Sequence, residues 1–526
     1  MPEHAIATPQ ADATAAGLAA FAAGGNALDA ALAAAATLCV TYPHNCALGG
    51  DLFALVRTPA GATTSVNASG PAAAAADAAA LRAGGAATMP IAGPESITVP
   101  GLVAGWEALH GLGAALPWAA ALEAATGHAD DGFAIGRSLA GAIAGQAGAI
   151  AADPGLRALL LPDGRPLGAG ATLRQPALAA TLRTLAAEGP RAFYDGPLAE
   201  RLTAGLAAAG CRLAAADLAG FRAELTAPLR RRCGALELLT SPPNSSGVLV
   251  LQALAALAAA DVAAPLGDDA GLLAELLRLG GEQRDAQLAD PRAAAPDLDA
   301  WLGEARIAEL VARARDRAAG NVPVPAGEPS PRPGGDTVAV VALDGEGRAV
   351  SLIQSVFHSL GALLLEPRTG VLMHNRGSFF SLVPGHPNEL APGRRPAHTL
   401  MPLLVERDGR LRYVLGTMGG KAHAQVHAQV IARLEAGMRP QEAVAAPRWV
   451  IGGVEVGEPD DTIRVEADVD PAAQAAFARA GMRAVPIAAR SEWCGHAQAI
   501  AVDPVDGRLA AGSDPRADGR AAVGGG

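Results

Sequence analysis

The chain has 526 residues, with 41 Lys or Arg against 52 Asp or Glu and a formal net charge of -11. That balance excludes a nucleic-acid binder, because counterion release needs a basic face and the largest basic cluster is Arg230-Arg231-Arg232. The only lysine is Lys421, outside any Gly-x-x-x-x-Gly-Lys-Ser/Thr frame, which excludes a P-loop and confines Schiff-base chemistry to that residue.

Half of the residues are hydrophobic but only 3% are aromatic, so the core must be built from Ala, Leu and Val in closely packed helices. No cation precedes Arg57, and Glu3 and Asp12 stand where the basic region of a signal peptide would be, so a soluble, cytoplasmic protein is expected. Residues 27–40 are apolar but carry Asp29, which reads as a buried helix capped by Asn26 rather than a membrane span. The five cysteines have no metal-ligand spacing, and their odd number fits a reducing compartment.

From about residue 5 to 314 the Ala/Leu periodicity predicts mostly helix, for example over 202–209, 249–260 and 272–279. The stretch 320–336 is rich in Pro and Gly and predicts an exposed mobile loop. After it the pattern changes to α+β. Thr337-Val-Ala-Val-Val-Ala-Leu343 reads as a buried strand, Asp344-Gly-Glu-Gly347 as a turn, and 349–355 as the returning strand of a hairpin. Further strands are expected over 361–365, 400–406 and 411–416, then a helix over 422–436. A loop running into a buried strand headed by Thr337 suggests cleavage at that junction.

Other motifs lead away from cofactor chemistry. His423 and His427 share a helix face at i, i+4, but no third ligand accompanies them, so no metal is expected. No Gly-x-Gly-x-x-Gly links a strand to a helix, so no dinucleotide and no other cofactor is expected. Cys494 and His496 read as strand neighbours rather than a Cys-His pair.

Several motifs occur together in a fixed order: Ala23-Gly-Gly-Asn-Ala-Leu-Asp-Ala-Ala31, Gly49-Gly-Asp51, Ser241-Pro-Pro-Asn-Ser-Ser-Gly247, Gly335-Asp-Thr-Val338, Asn375-Arg-Gly-Ser378, Arg395-Pro396, Gly416-Thr-Met-Gly-Gly420 and Ala446-Pro-Arg448. In this the chain resembles the gamma-glutamyltransferases of the N-terminal nucleophile hydrolases. The resemblance implies a four-layer αββα sandwich made from a precursor that cuts itself between Asp336 and Thr337. The products are a large subunit, 1–336, and a small one, 337–526, which together form one compact unit, with a dimer of such units as the further assembly the resemblance allows.

By the same resemblance, Thr337 is the nucleophile, and its freed α-amine, with a pKa of about 8 in model peptides, is its own general base. Gly419 and Gly420 match the oxyanion-hole glycines, whose amides approach the substrate closely because no side chain intervenes. Ser355 falls where the family has a threonine bonded to the nucleophile's amine. His398 and Thr399 occupy the positions of a serine pair that touches the substrate carboxylate.

The departures from the family bear on substrate. Asn67 stands at the position of the arginine, and Phe379 at that of the aspartate, that clamp a γ-glutamyl group, so neither ion pair can form. Arg376 replaces a neutral glutamine, either to hold a substrate carboxylate or to pair with a structural acid. This pattern resembles the cytoplasmic branch that includes oxamate amidohydrolases. Three readings stay open: γ-glutamyl transfer or hydrolysis, hydrolysis of a small carboxylate-bearing amide such as oxamate, and an uncleaved binding protein without catalysis.

Overall fold

The computed structural model describes residues 3–320, 336–452 and 462–525; the Pro/Gly-rich segment anticipated over 320–336 lies, from 321 to 335, outside the described residues. Two antiparallel sheets face each other, and both draw strands from either side of that segment. Before it come β1 (His4–Thr8), β2 (Asp51–Arg57), β3 (Thr63–Ala68), β4 (Glu224–Thr226), β5 (Leu229–Cys233) and β6 (Leu236–Thr240). After it come β7 (Asp336–Leu343), β8 (Ala349–Phe357), β9 (Leu403–Arg407), β10 (Arg410–Thr417), β11 (Ala497–Val502), β12 (Leu509–Ser513) and β13 (Arg520–Gly524). The seven-stranded sheet runs β13-β1-β7-β8-β2-β3-β4, and the six-stranded sheet β12-β11-β10-β9-β6-β5.

Helices close the outer faces. Against the first sheet pack α1 (Ala11–Ala22) and α2 (Ala27–Thr41), and against the second α3 (Val248–Ala260) and α5 (His423–Glu435), with α4 (Ala270–Gln287) packed on α3. The order helix, sheet, sheet, helix is the αββα sandwich expected. Both faces of β7 and β8 are therefore buried, which is why β7 is a continuous apolar run after Thr337 and the polar side chains of β8, Ser351, Gln354 and Ser355, are buried as well. Alternation still assigns the faces: Val338, Val340 and Ala342 lie in the cluster with α1 and α2, whereas Ala339, Val341 and Leu343 meet side chains of the second sheet. Thr337 has the parity of Ala339, so its side chain enters the space between the sheets.

The hairpin over 337–355 forms as expected, and its turn is closed by the Gly347 N–H donating to the Asp344 carbonyl. The helix expected over 422–436 is α5. Asn26 and Asp29 make the capping box at the start of α2, and Asp29 also accepts from the backbone N–H groups of Ala115 and Leu116. The first 320 residues are mostly helical, as expected, with a helix, α1, preceding the one capped by Asn26, and they also supply six strands to the two sheets. One expectation changes. Residues 361–365 are not a strand: Leu360, Gly361 and Leu363 have positive φ, and only Leu365–Glu366 pair.

Among the described residues no helix is long and apolar enough to cross a membrane. All five cysteines are free and buried.

Candidate active site

The pairing register aligns three residues across the centre of the first sheet. Ser355 of β8 lies opposite Thr337 of β7 on one side and Asp51 of β2 on the other. Opposed residues in an antiparallel pair project from the same face, so all three side chains point between the sheets. Just beyond Ser355 the register slips by one residue, a β-bulge, and Phe357 adopts φ 78° opposite Asp336. The bulge turns the Phe357 N–H onto Ser355 Oγ at 2.7 Å. Ser355 Oγ donates to the Asp336 carbonyl at 2.7 Å and accepts from Thr337 Oγ1 at 3.0 Å. One hydroxyl thus touches both the hydroxyl of Thr337 and the carbonyl of the Asp336–Thr337 peptide bond. Asn45, in the loop before β2, donates Nδ2 to the Thr337 carbonyl at 3.3 Å.

Asp51 organises the adjoining space. It is fully buried and accepts from Arg376 Nε at 2.8 Å, from Arg376 Nη2 at 3.5 Å and from His398 Nε2 at 2.7 Å. His374 Nδ1 lies 3.5 Å away, with its Nε2 donating to the Thr98 carbonyl at 3.0 Å. Burial pushes the Asp51 carboxyl up, but Arg376 and the two histidines more than offset this and hold it well below the usual carboxylate range. Burial, aided by Arg376, pulls His398 down to about 4 although Asp51 opposes the shift, so the ring is neutral near pH 7.

Arg376 is the structural partner of this acid. Its guanidinium lies 4.0 Å above the Phe357 ring, and Nη1 donates to Thr399 Oγ1 at 3.3 Å. Of the two roles left open in the sequence, the pairing with an internal acid is the one formed here, and that acid is Asp51. His398 has both ring nitrogens occupied, Nε2 by Asp51 and Nδ1 by the Leu400 N–H at 3.2 Å, and its ring packs on Phe53. It braces the site instead of offering a free nitrogen to a substrate. Asn67 likewise has its amide committed, donating to Asn244 Oδ1 and accepting from the Ser69 N–H, both at 3.0 Å. Phe379 packs edge-on against Phe357 as an apolar, half-buried wall.

The Ser241–Gly247 motif acts as a bracket for this wall. Ser245 Oγ donates to the Leu400 carbonyl and Ser246 Oγ to that of His398, while Asn244 Nδ2 donates to Ser69 Oγ and to the Pro396 carbonyl. The Arg395–Met401 stretch carrying His398 and Thr399 is thereby fixed between the sheets.

Gly419 and Gly420 follow β10. Ser351 Oγ bonds the Leu415 carbonyl, and a side chain at Gly416 would strike Ala339 and Ile353, so β10 advances over the first sheet toward its Thr337–Ser355 end. The turn beyond it has φ 151° at Gly419 and 54° at Gly420, values that glycine adopts without strain. Neither N–H has an acceptor outside its own short helix among the described residues. Gly495 closes on this turn, where a side chain would meet the Met418 carbonyl at 2.0 Å, and the buried Arg448 holds the Gly495 carbonyl at 2.8 Å. Lys421, next in sequence, pairs with Asp285 at 3.1 Å. Cys494 is buried and its thiol is pushed up to about 12, chiefly by burial, which leaves it unreactive.

Asp51 was legible within Gly49-Gly-Asp51 and Asn244 within Ser241-Pro-Pro-Asn-Ser-Ser-Gly247, whereas Asn45 carried no chemical signal. Their importance comes from register and loop docking.

Facing sheets between helices, with a buried threonine at the start of a central strand, define the N-terminal nucleophile hydrolase class. Over residues 13–524 the chain matches the family described as Gamma-glutamyltranspeptidase. It is 38% identical over 518 residues to the oxamate amidohydrolase proenzyme of Klebsiella pneumoniae subsp. pneumoniae, covering 95% of this chain and 94% of that one. It is 34% identical over 517 residues to the glutathione hydrolase-like YwrD proenzyme of Bacillus subtilis, covering 95% and 94%. The crystal structure of cephalosporin acylase from Bacillus halodurans superposes with a TM-score of 0.89 at 30% identity, over 99% of this chain and 96% of that one. The chain belongs to the gamma-glutamyltranspeptidase family, and it is an enzyme acting on amides by acyl transfer or hydrolysis.

Proposed function

We propose that the precursor cuts itself between Asp336 and Thr337, and that Thr337 is then the nucleophile hydrolysing a small amide with a carboxylate near its carbonyl. The observation that carries the first part is the placement of Ser355 Oγ, 2.7 Å from the Asp336 carbonyl and 3.0 Å from Thr337 Oγ1. The Thr337 oxygen adds to the Asp336 carbonyl carbon, whose oxygen gains negative charge beside the Ser355 hydroxyl. The hydroxyl proton passes to the Thr337 nitrogen, and collapse expels that nitrogen as an amine and leaves an ester. Water hydrolyses the ester to an Asp336 carboxylate and a free Thr337.

In turnover the α-amine takes the hydroxyl proton as Thr337 Oγ1 adds to the substrate amide, with the N–H groups of Gly419 and Gly420 facing the oxyanion. The proton passes to the departing amine, and water resolves the acyl-enzyme. Thr399 and Arg376 bound the acyl side. Two of the five N–H groups of Arg376 lack an acceptor among the described residues, which suits a substrate carboxylate. The neutral Asn67 and apolar Phe379 disfavour a γ-glutamyl clamp, and the similarity to an oxamate amidohydrolase favours the smaller acid.

The test is a denaturing gel of purified protein with amino-terminal sequencing, followed by assays on oxamate and a γ-glutamyl anilide. Two chains are expected, the smaller beginning at Thr337, with oxamate preferred; Thr337→Ala should stay uncut and inactive. A small chain beginning elsewhere, or a preference for the anilide, would overturn the corresponding half.

A further inference from the structure

His423, the first residue of α5, is fully buried, yet neither Nδ1 nor Nε2 has a hydrogen-bond partner among the described residues. Buried ring nitrogens rarely go unpaired, because the lost hydration is not replaced. Its place in the fold shows what it is near. One turn along the same face, His427 donates Nε2 to the Met401 carbonyl at 3.1 Å, which seats this face of α5 against the 398–401 stretch. In sequence His423 stands three residues after Gly420, at the end of α5 nearest the glycine turn. Burial is the largest cause holding the ring well below its ordinary value, followed by the fields of His427, Arg376 and His398, which puts the imidazole within electrostatic reach of the last two.

The surroundings favour an anion. Asp51 is already engaged by Arg376 and His398, and a 13-residue helix directs its positive N-terminal end toward the place where His423 begins it. We infer that His423 donates a ring N–H to the carboxylate of the amide substrate, completing with Arg376 and Thr399 the subsite that selects a small acidic acyl group. A neutral imidazole has one donor and one lone pair, so the second nitrogen remains to accept from water or from the substrate's own N–H. The inference rests on the substrate reading proposed above and adds the residue that enforces it.

The test compares His423→Leu and His423→Gln with the unaltered enzyme, each first shown to cut itself into two chains. With oxamate, His423→Leu should raise KM roughly tenfold or more, exceeding any fall in kcat, and His423→Gln, which keeps a donor, should recover most of that loss. An unchanged KM in His423→Leu overturns the inference, as does an equal loss in both variants carried by kcat. If the unaltered enzyme ignores oxamate but cleaves the anilide, the substrate reading fails and His423 loses this role with it. Should neither variant fold, titration of the unaltered enzyme with oxalate, watched by 15N signals of the histidine rings, decides. A shift in a buried ring is expected, and no shift overturns the inference.

Discussion

A carboxylate taken out of water keeps its charge only if donors surround it, and Asp51 has them on two elements: Arg376 in the Asn375–Ser378 turn and His398 in the 398–401 stretch. This one side chain therefore ties β2 to the Asn375–Ser378 turn and to the 398–401 stretch. Asp51→Asn keeps the shape and removes the charge, leaving the Arg376 guanidinium buried without its counter-ion. We expect a loss of about 3–5 kcal/mol in urea unfolding, together with slowed self-cleavage. A loss under about 1 kcal/mol would show that the pair is solvated in solution. At this scale the sequence marked candidates: Thr337 and the two glycines because they sit in motifs, and Ser355 because of its position in the family resemblance. It did not carry their partners. Arg376 looked equally suited to a ligand or to an acid 325 residues away in the chain, and only folding brings that acid to it.

Elements place these groups by backbone contact. Gly50 precedes Asp51, and a Cβ there would lie 2.4 Å from the Ser355 carbonyl and 2.9 Å from that of Ala47. Both neighbours are backbone atoms, so neither can swing aside. Gly50→Ala should push β8 off its register beside the bulge, lowering stability by about 1–3 kcal/mol and delaying appearance of the small chain on a time-course gel. Cleavage at the normal rate would show that the bulge absorbs the extra atom. The β7–β8 hairpin was readable because its apolar runs and turn residues agree locally. Residues 361–365 misled for a related reason: their apolar side chains are buried, but positive φ at Leu360, Gly361 and Leu363 bends the chain too sharply to pair.

At the scale of the molecule, the interior holds several histidines in their neutral form. Burial is the leading cause that lowers His44 to about 3 and His398, His427 and His496 to about 4. In the unfolded chain each titrates near about 6.5. Between those values the unfolded state binds more protons than the folded one, so stability is intact above about pH 6.5 and falls as pH drops toward 4. Each such group contributes about 1 kcal/mol or more per pH unit in that window, and together they predict a steep fall in the urea midpoint between about pH 6.5 and 5. A flat midpoint across that range would show that these rings are hydrated. The depressed Asp51 carboxyl acts lower, its stabilisation being lost only as pH falls through its own reduced value.

By itself the sequence determined the class of chemistry, the hairpin led by Thr337 and the glycine turn, because turn residues, apolar runs and short motifs act over a few neighbours. The tertiary structure alone decided which strands share a sheet, that Asp51 takes Arg376 and His398, and that His423 has no hydrogen-bond partner among the described residues. Those outcomes depend on register across strands hundreds of residues apart, where one step of pairing would turn every side chain to the opposite face.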